Sequence, residues 1–171
     1  EKQIGYFFFN KDLLKRALTH PSFAQTQVSQ ESATLATASE IDLADPGSTP
    51  SGPVDQEAYA VLGHTLLRAV LTEFLVRIGY TAEADLREQL ACLMQSNQLV
   101  TLAQEEFALD FLVKVSPEYK AKGKHRDPSI LISTLEAVLG AIYLDGGFSA
   151  LRSTVQRLFQ RVSIFQKQSL S

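Results

Sequence analysis

Cysteine occurs once in the 171 residues, as Cys92. That excludes an intrachain disulfide and fits a reducing, intracellular setting, with an organelle (mitochondrion or plastid) and the cytoplasm both open. No uninterrupted apolar run approaches the roughly 20 residues needed to cross a bilayer, so no membrane partner is expected. Positive charge is scarce: 16 Lys and Arg stand against 19 Asp and Glu, for a net charge of −3 and a pI of about 5.6. A protein that holds nucleic acid through its overall field is basic, so any such contact here must come from a local patch. Period-two alternation and internal repeats are missing as well, which argues against a sheet or a solenoid. Glu1 is not a methionine, which leaves room for a preceding tag, targeting peptide or domain.

What remains is ordinary for one domain with a core: 45% hydrophobic and 20% charged residues. Asn10 is placed to cap a helix over "KDLLKRAL", where Leu13, Leu14, Ala17 and Leu18 recur at helical spacing, with Pro21 as its stop. "GYFFF" before it reads as a packed lead-in. Residues 25–53 are rich in Ser, Thr, Ala, Gln, Pro and Gly and hold no aromatic. They read as a flexible surface insertion, with a short helix over 32–43 as the alternative. Helices are expected over 55–78, ended by Gly79, then over 82–94, 96–107 and a short 108–113. "SPEYKAKGKHRD" reads as a polar, basic loop. Pro128 opens a helix that closes at Gly146–Gly147, and a last amphipathic helix runs over 149–165. The expectation is an all-α fold, one domain over 1–171 with its main helical core over 55–165.

"DQEAYAVLGHTLL" (55–67) carries Glu57, Ala60 and His64 on one stripe of its helix, since residues three, four and seven apart share a face. A histidine among so few acids has two readings. It is a substitute ligand that moves the site toward zinc or manganese, or a buried imidazole hydrogen-bonded to Glu57 or Glu136. His20 reads as a capping or packing residue, His125 as a solvated one, and Cys92 as an inert core residue.

Four stretches in order resemble the catalytic domain of the ribonuclease III family: "LLKRALTHPSF" (13–23), "QEAYAVLGHTLL" (56–67), "SNQLVTLA" (96–103) and "RDPSILISTLEAVLGAIYLDGGF" (126–148). The resemblance covers almost the whole chain outside 25–53. It implies an all-α domain, dimerising through its signature helix, that seats double-stranded RNA over metal-binding acids. Carried over position by position, the first signature acid falls on Glu57 and the last on Glu136, both retained. The second falls on Ala60, the signature aspartate on His64 and the aspartate of the later helix on Ser133. Gln56 stands where the family has asparagine.

Two-metal phosphodiester hydrolysis needs several carboxylates to hold two cations about 4 Å apart. Losing one well-placed stabiliser costs on the order of a hundredfold to a thousandfold in rate. The leading expectation is therefore a catalytically inactive ribonuclease III-like module. It would dimerise through Val61, Leu62 and Leu66, hold structured RNA or a ribonucleoprotein through Lys120, Lys122, Lys124 and Arg126, and need no cofactor. Its contexts would be RNA processing, splicing or ribosome structure. Weak metal candidates are Glu57, His64 and Glu136. The alternative is a Mg²⁺-dependent double-stranded-RNA endonuclease with a modified site, or one subunit of a heterodimer, with Asp55 or Asp127 swinging in. A third possibility is a protein-interaction domain that binds no RNA.

Overall fold

A computed structural model describes residues 4–23 and 56–160. The 25–53 insertion with its alternative helix, Asp55 and the chain after residue 160 lie outside the described residues. The described chain is all-α. Besides helical residues at 21–23, seven helices with both ends among the described residues run in order: α1 Lys11–Ala17, α2 Glu57–Arg77, α3 Glu83–Leu93, α4 Ser96–Thr101, α5 Leu109–Leu112, α6 Pro117–Ala121 and α7 Pro128–Phe159. A wide π-type turn over Leu102–Glu106 prolongs α4. Among the described residues the one strand-like feature is a parallel bridge between Thr19 and Lys114.

That bridge corrects the end of α1. Asn10 caps the helix as its side chain suggests, accepting from the Asp12 N–H at 3.0 Å. Yet α1 stops at Ala17, short of Pro21. The Leu18 carbonyl accepts from the Lys114 N–H at 2.7 Å, and the His20 N–H donates to the Lys114 carbonyl at 2.9 Å. Tertiary pairing has taken backbone groups that another helical turn would use.

The core is the crossing of α2 on α7. Leu67, Leu71 and Leu75 meet Leu131, Leu135, Leu139 and Ile142, all fully buried, and each such side chain contributes roughly 1.5–3 kcal/mol by leaving water. The crossing is as close as backbones allow. A Cβ at Gly63 would stand 1.7 Å from the Glu136 carbonyl oxygen, and one at Gly140 would stand 2.4 Å from the Tyr59 carbonyl oxygen. Although neither is an unbroken apolar run, α2 and α7 are long and apolar enough, by length and composition, to cross a membrane. They direct much of that apolar surface at each other.

Asp127 caps α7 by accepting from the Ser129 N–H at 3.0 Å, with Pro128 in the first turn. The two helices expected around Gly146–Gly147 are one long element broken at Gly147, whose φ of 72° and ψ of −172° leave helical space. Just before the break, Asp145 fastens the N-terminal lead-in. Its carboxylate accepts from the Phe9 N–H, the Asn10 N–H and the Tyr6 hydroxyl, each at 2.8 Å. Phe8 and Ile4 are buried by this anchor, while Phe7 and Phe9 stay exposed.

Two further expectations change. Cys92 is exposed: Leu90 and Leu93 take the core positions of α3, and residue 92 falls on the face between them that meets water. The basic segment is no loop. Ser116 caps α6 by accepting from the Tyr119 N–H at 3.3 Å, Pro117 starts it, and Gly123 in left-handed geometry leads into a 3₁₀ turn over Lys124–Arg126. The Ser-Pro opening is a helix-start signal that the charge of the segment masks.

Candidate functional site

Because Gly63 lets α2 lie on the backbone of α7 at Glu136, the residues beside that contact face one another. His64 Nδ1 lies 2.7 Å from Glu136 Oε1. A carboxylate only accepts, so Nδ1 carries the hydrogen that is shared. The Glu136 side chain is 12% exposed and the His64 side chain 51%. The histidine therefore has the carboxylate partner expected of the non-ligand reading, but at the mouth of the site and not buried within it. Ala60, one turn back, is buried and offers no donor. Ser133, one turn before Glu136, is half-buried and neutral. Glu57 is exposed at the start of α2, within electrostatic reach of His20.

These groups do not fit the two magnesium ions that a phosphodiester-cleaving site of this kind would hold. Among the described residues no three His, Cys, Asp or Glu side chains gather in a metal-binding group. The Glu136 carboxylate is shared with an imidazole, and hard divalent ions want several oxygen donors. Asp127, a possible substitute, is committed to the start of α7: hydrogen bonds from the Ser129 hydroxyl and N–H hold its carboxyl below the ordinary range.

His20 is a packing residue. Its Nδ1 accepts from the Ser22 N–H at 3.1 Å, and its ring tilts against Tyr119 with centroids 5.7 Å apart. Burial pushes this imidazole below its usual pKa, with the nearby Glu57 charge partly opposing. Lys124 lies over the other ring of the stack, its Nζ 4.8 Å from the Tyr119 centroid. The first-helix motif, the start of α2 and the basic segment thus meet at one place.

The four basic candidates are unequal. Lys122 is paired with Glu118 at 2.5 Å and Arg126 lies 3.9 Å from Asp110. Lys124 covers Tyr119, and Lys120 is exposed with no carboxylate partner among the described residues. Of the dimer candidates, Val61 is 70% exposed, whereas Leu66 packs on the core and Leu62 is half-buried.

The fold has known counterparts. A ribonuclease-III-like family model matches residues 48–162. The chain belongs to the ribonuclease III-like family. The domain is 30% identical to ribonuclease 3 of Wolinella succinogenes over 163 residues, covering 95% of this chain and 57% of that protein. It is 32% identical to ribonuclease 3 of a Marinomonas species over 155 residues, covering 90% of this chain and 56% of that protein. The chain thus spans a little over half the length of these relatives. The ribonuclease III nuclease domain of Campylobacter jejuni has the same fold, with a TM-score of 0.74 and 27% identity over 96% of both chains. A second structure of that domain gives 0.72, at 27% identity over 94% of this chain and 91% of that one. In the Campylobacter domain a structurally flexible region is involved in dimer formation.

Within this ribonuclease III-like domain some polar side-chain atoms are buried without a hydrogen-bond partner among the described residues. The Gln56 amide is fully buried, with neither end hydrogen-bonded. His125 is not simply solvated: its Nδ1 is buried and unpaired. The pairing of His64 with Glu136 was legible as one of two options, because a one-turn spacing on each helix sets both toward the crossing.

Proposed function

We propose that this ribonuclease III-like domain binds structured, double-stranded RNA as a dimer and does not cut it. One observation carries the reading: at the α2–α7 crossing Glu136 is hydrogen-bonded to His64, with Ala60 and Ser133 at the neighbouring positions where metal-holding acids would stand. Membership of an RNA-processing ribonuclease family supports the RNA part. Lys120 and Lys124, exposed on α6 and its following turn, offer phosphate contacts that give affinity without sequence preference. Val61 on the outward face of α2 supports pairing with a second copy or a related subunit. The site's donors give no reason to assign a resident cofactor.

A second reading is a Mg²⁺-dependent double-stranded-RNA endonuclease, acting alone or beside an intact partner. Its support is specific: the relatives bear the name ribonuclease 3, and Glu57 and Glu136 are retained. On activity the relatives favour this reading over the first, and the donor chemistry favours the first over this. The two separate in one experiment. The purified domain is incubated with long double-stranded RNA and Mg²⁺ or Mn²⁺, cleavage and binding are read on the same samples, and light scattering reports assembly. Binding without cleavage, by a dimer, is the expected result. Cleavage that vanishes in Glu136→Gln would establish the second reading. Absence of both binding and cleavage would leave a protein-interaction domain.

A further inference from the structure

One opening in the domain is away from the acidic positions. It lies where α5, the Val113–Val115 segment, α6 and the 3₁₀ turn meet, with about 120 Å³ of room, against the roughly 10–15 Å³ that one water needs. The opening beside Glu73 and Arg152 has only about 10 Å³, enough for one water at most.

Its six lining residues divide by chemistry. Val113 and Val115 are buried and make an apolar floor. Phe111 lines it too and is 78% exposed, which leaves most of its ring open to a flat partner. Asp110 has a side chain only 13% exposed, and Arg126 Nε, at 3.9 Å, is beyond hydrogen-bond length. His125 forms part of the wall. Lys120 adds a positive charge on an exposed side chain.

We propose that this pocket takes an unstacked guanine of a nucleotide. A flat ring stacks on Phe111 above the valines, as unpaired bases stack on aromatic side chains. A carboxylate accepts and cannot donate, so Asp110 selects the base edge with two adjacent donors. Guanine has one, in its N1–H and exocyclic amine. Adenine and cytosine set a ring acceptor beside their amine, and uracil flanks its single N–H with two carbonyls. His125 walls the base on one side, and Lys120 meets the phosphate. The guanine is supplied by a bulge or end of a bound RNA, or by a free nucleotide. In its RNA form the inference rests on the double-stranded-RNA reading and deepens it, because a paired duplex offers no free guanine.

The test compares a fully paired RNA duplex, the same duplex with one bulged guanine, the same with a bulged uridine, and free GMP and UMP. Each is titrated into the whole chain and into Phe111→Ala and Asp110→Asn, with thermal melts to show that the exposed-ring variant stays folded. An RNA source gives at least about fivefold tighter binding to the guanine bulge than to the paired duplex. That gain is absent for uridine and lost in Phe111→Ala, while Asp110→Asn abolishes the guanine-over-uridine preference. Saturable GMP binding with the same variant pattern, without a bulge effect, supports the pocket with a free nucleotide as its source. Duplex binding with no bulge effect and no GMP binding overturns the pocket while leaving RNA binding intact. Failure to bind the paired duplex overturns the RNA reading by itself, and the GMP arm then decides the pocket alone.

Discussion

Gly63 and Gly147 show that two glycines in helices of one domain are held for different reasons. At Gly63 the constraint is space: any Cβ would collide with the Glu136 carbonyl, and backbone cannot swing aside as a side chain can. Gly63→Ala should destabilise the fold by at least about 3 kcal/mol, read by urea unfolding, and would also push His64 off Glu136. At Gly147 nothing lies within 4 Å of an added Cβ; the constraint is the positive φ of 72° with extended ψ. Gly147→Ala should cost about 1–3 kcal/mol, with the α2–α7 crossing undisturbed. A cost at Gly63 below about 1 kcal/mol would show that the crossing is looser than described. The third residue of note is Asp145. Burial pushes its carboxyl pKa up, but hydrogen bonds from Asn10, Phe9 and Tyr6 outweigh that and hold it below the ordinary value. A folded-state pKa below that of the unfolded chain, about 3.9, makes the stabilisation full above that pH and lost as pH falls through the lower folded value. Wild type should therefore be more stable than Asp145→Asn at neutral pH, with the gap closing as the pH drops below about 4. Chemical denaturation across pH reads this, and a constant gap would contradict it. Tyr6, pushed up to about 12 by burial and by its bond to Asp145, adds the mirror effect, a loss of stability between about pH 10 and 12.

Among the elements, helical periodicity made α2, α3 and the first part of α7 readable, because each has a long apolar stripe and recognisable ends. The mistakes fell where a local signal competed with another. Charge in "EYKAKGKHR" hid the Ser-Pro start of α6, and Pro21 drew attention from the Thr19–Lys114 bridge that ends α1. That bridge joins residues far apart in sequence, so no window could contain it. The structure of the basic segment has a consequence for binding. Lys122 already has Glu118 and Arg126 has Asp110 nearby, so Lys120 and Lys124 should carry most of the phosphate contact. Converting both to glutamine should weaken binding to paired RNA and flatten the log–log salt dependence by about 1.8, at about 0.9 per lost contact. Converting Lys122 and Arg126 should change the slope less. Equal effects of the two pairs, measured by binding titrations over a salt series, would show that the intramolecular partners are released on binding.

At the scale of the molecule, fold class and family were legible because four motifs keep their order along the chain and one crossing of two helices organises everything else. The state of the site was only half legible. The resemblance sets Ala60, His64 and Ser133 at positions where the family carries acids, but the bond between His64 and Glu136 is made by two helices meeting at glycines, and needs the third dimension. Among the described residues no group of three His, Cys, Asp or Glu side chains gathers at that crossing. The central claim is that too few oxygen donors converge there to hold a pair of divalent ions. Counting Mn²⁺ bound to the whole chain by electron paramagnetic resonance tests it most directly, with Ala60→Glu/His64→Asp/Ser133→Asp as the comparison. Wild type is expected to hold no ion tighter than on the order of millimolar, and the triple variant to gain tighter binding. Two Mn²⁺ per chain held by the wild type at micromolar concentration, and released by Glu136→Gln, would contradict the account.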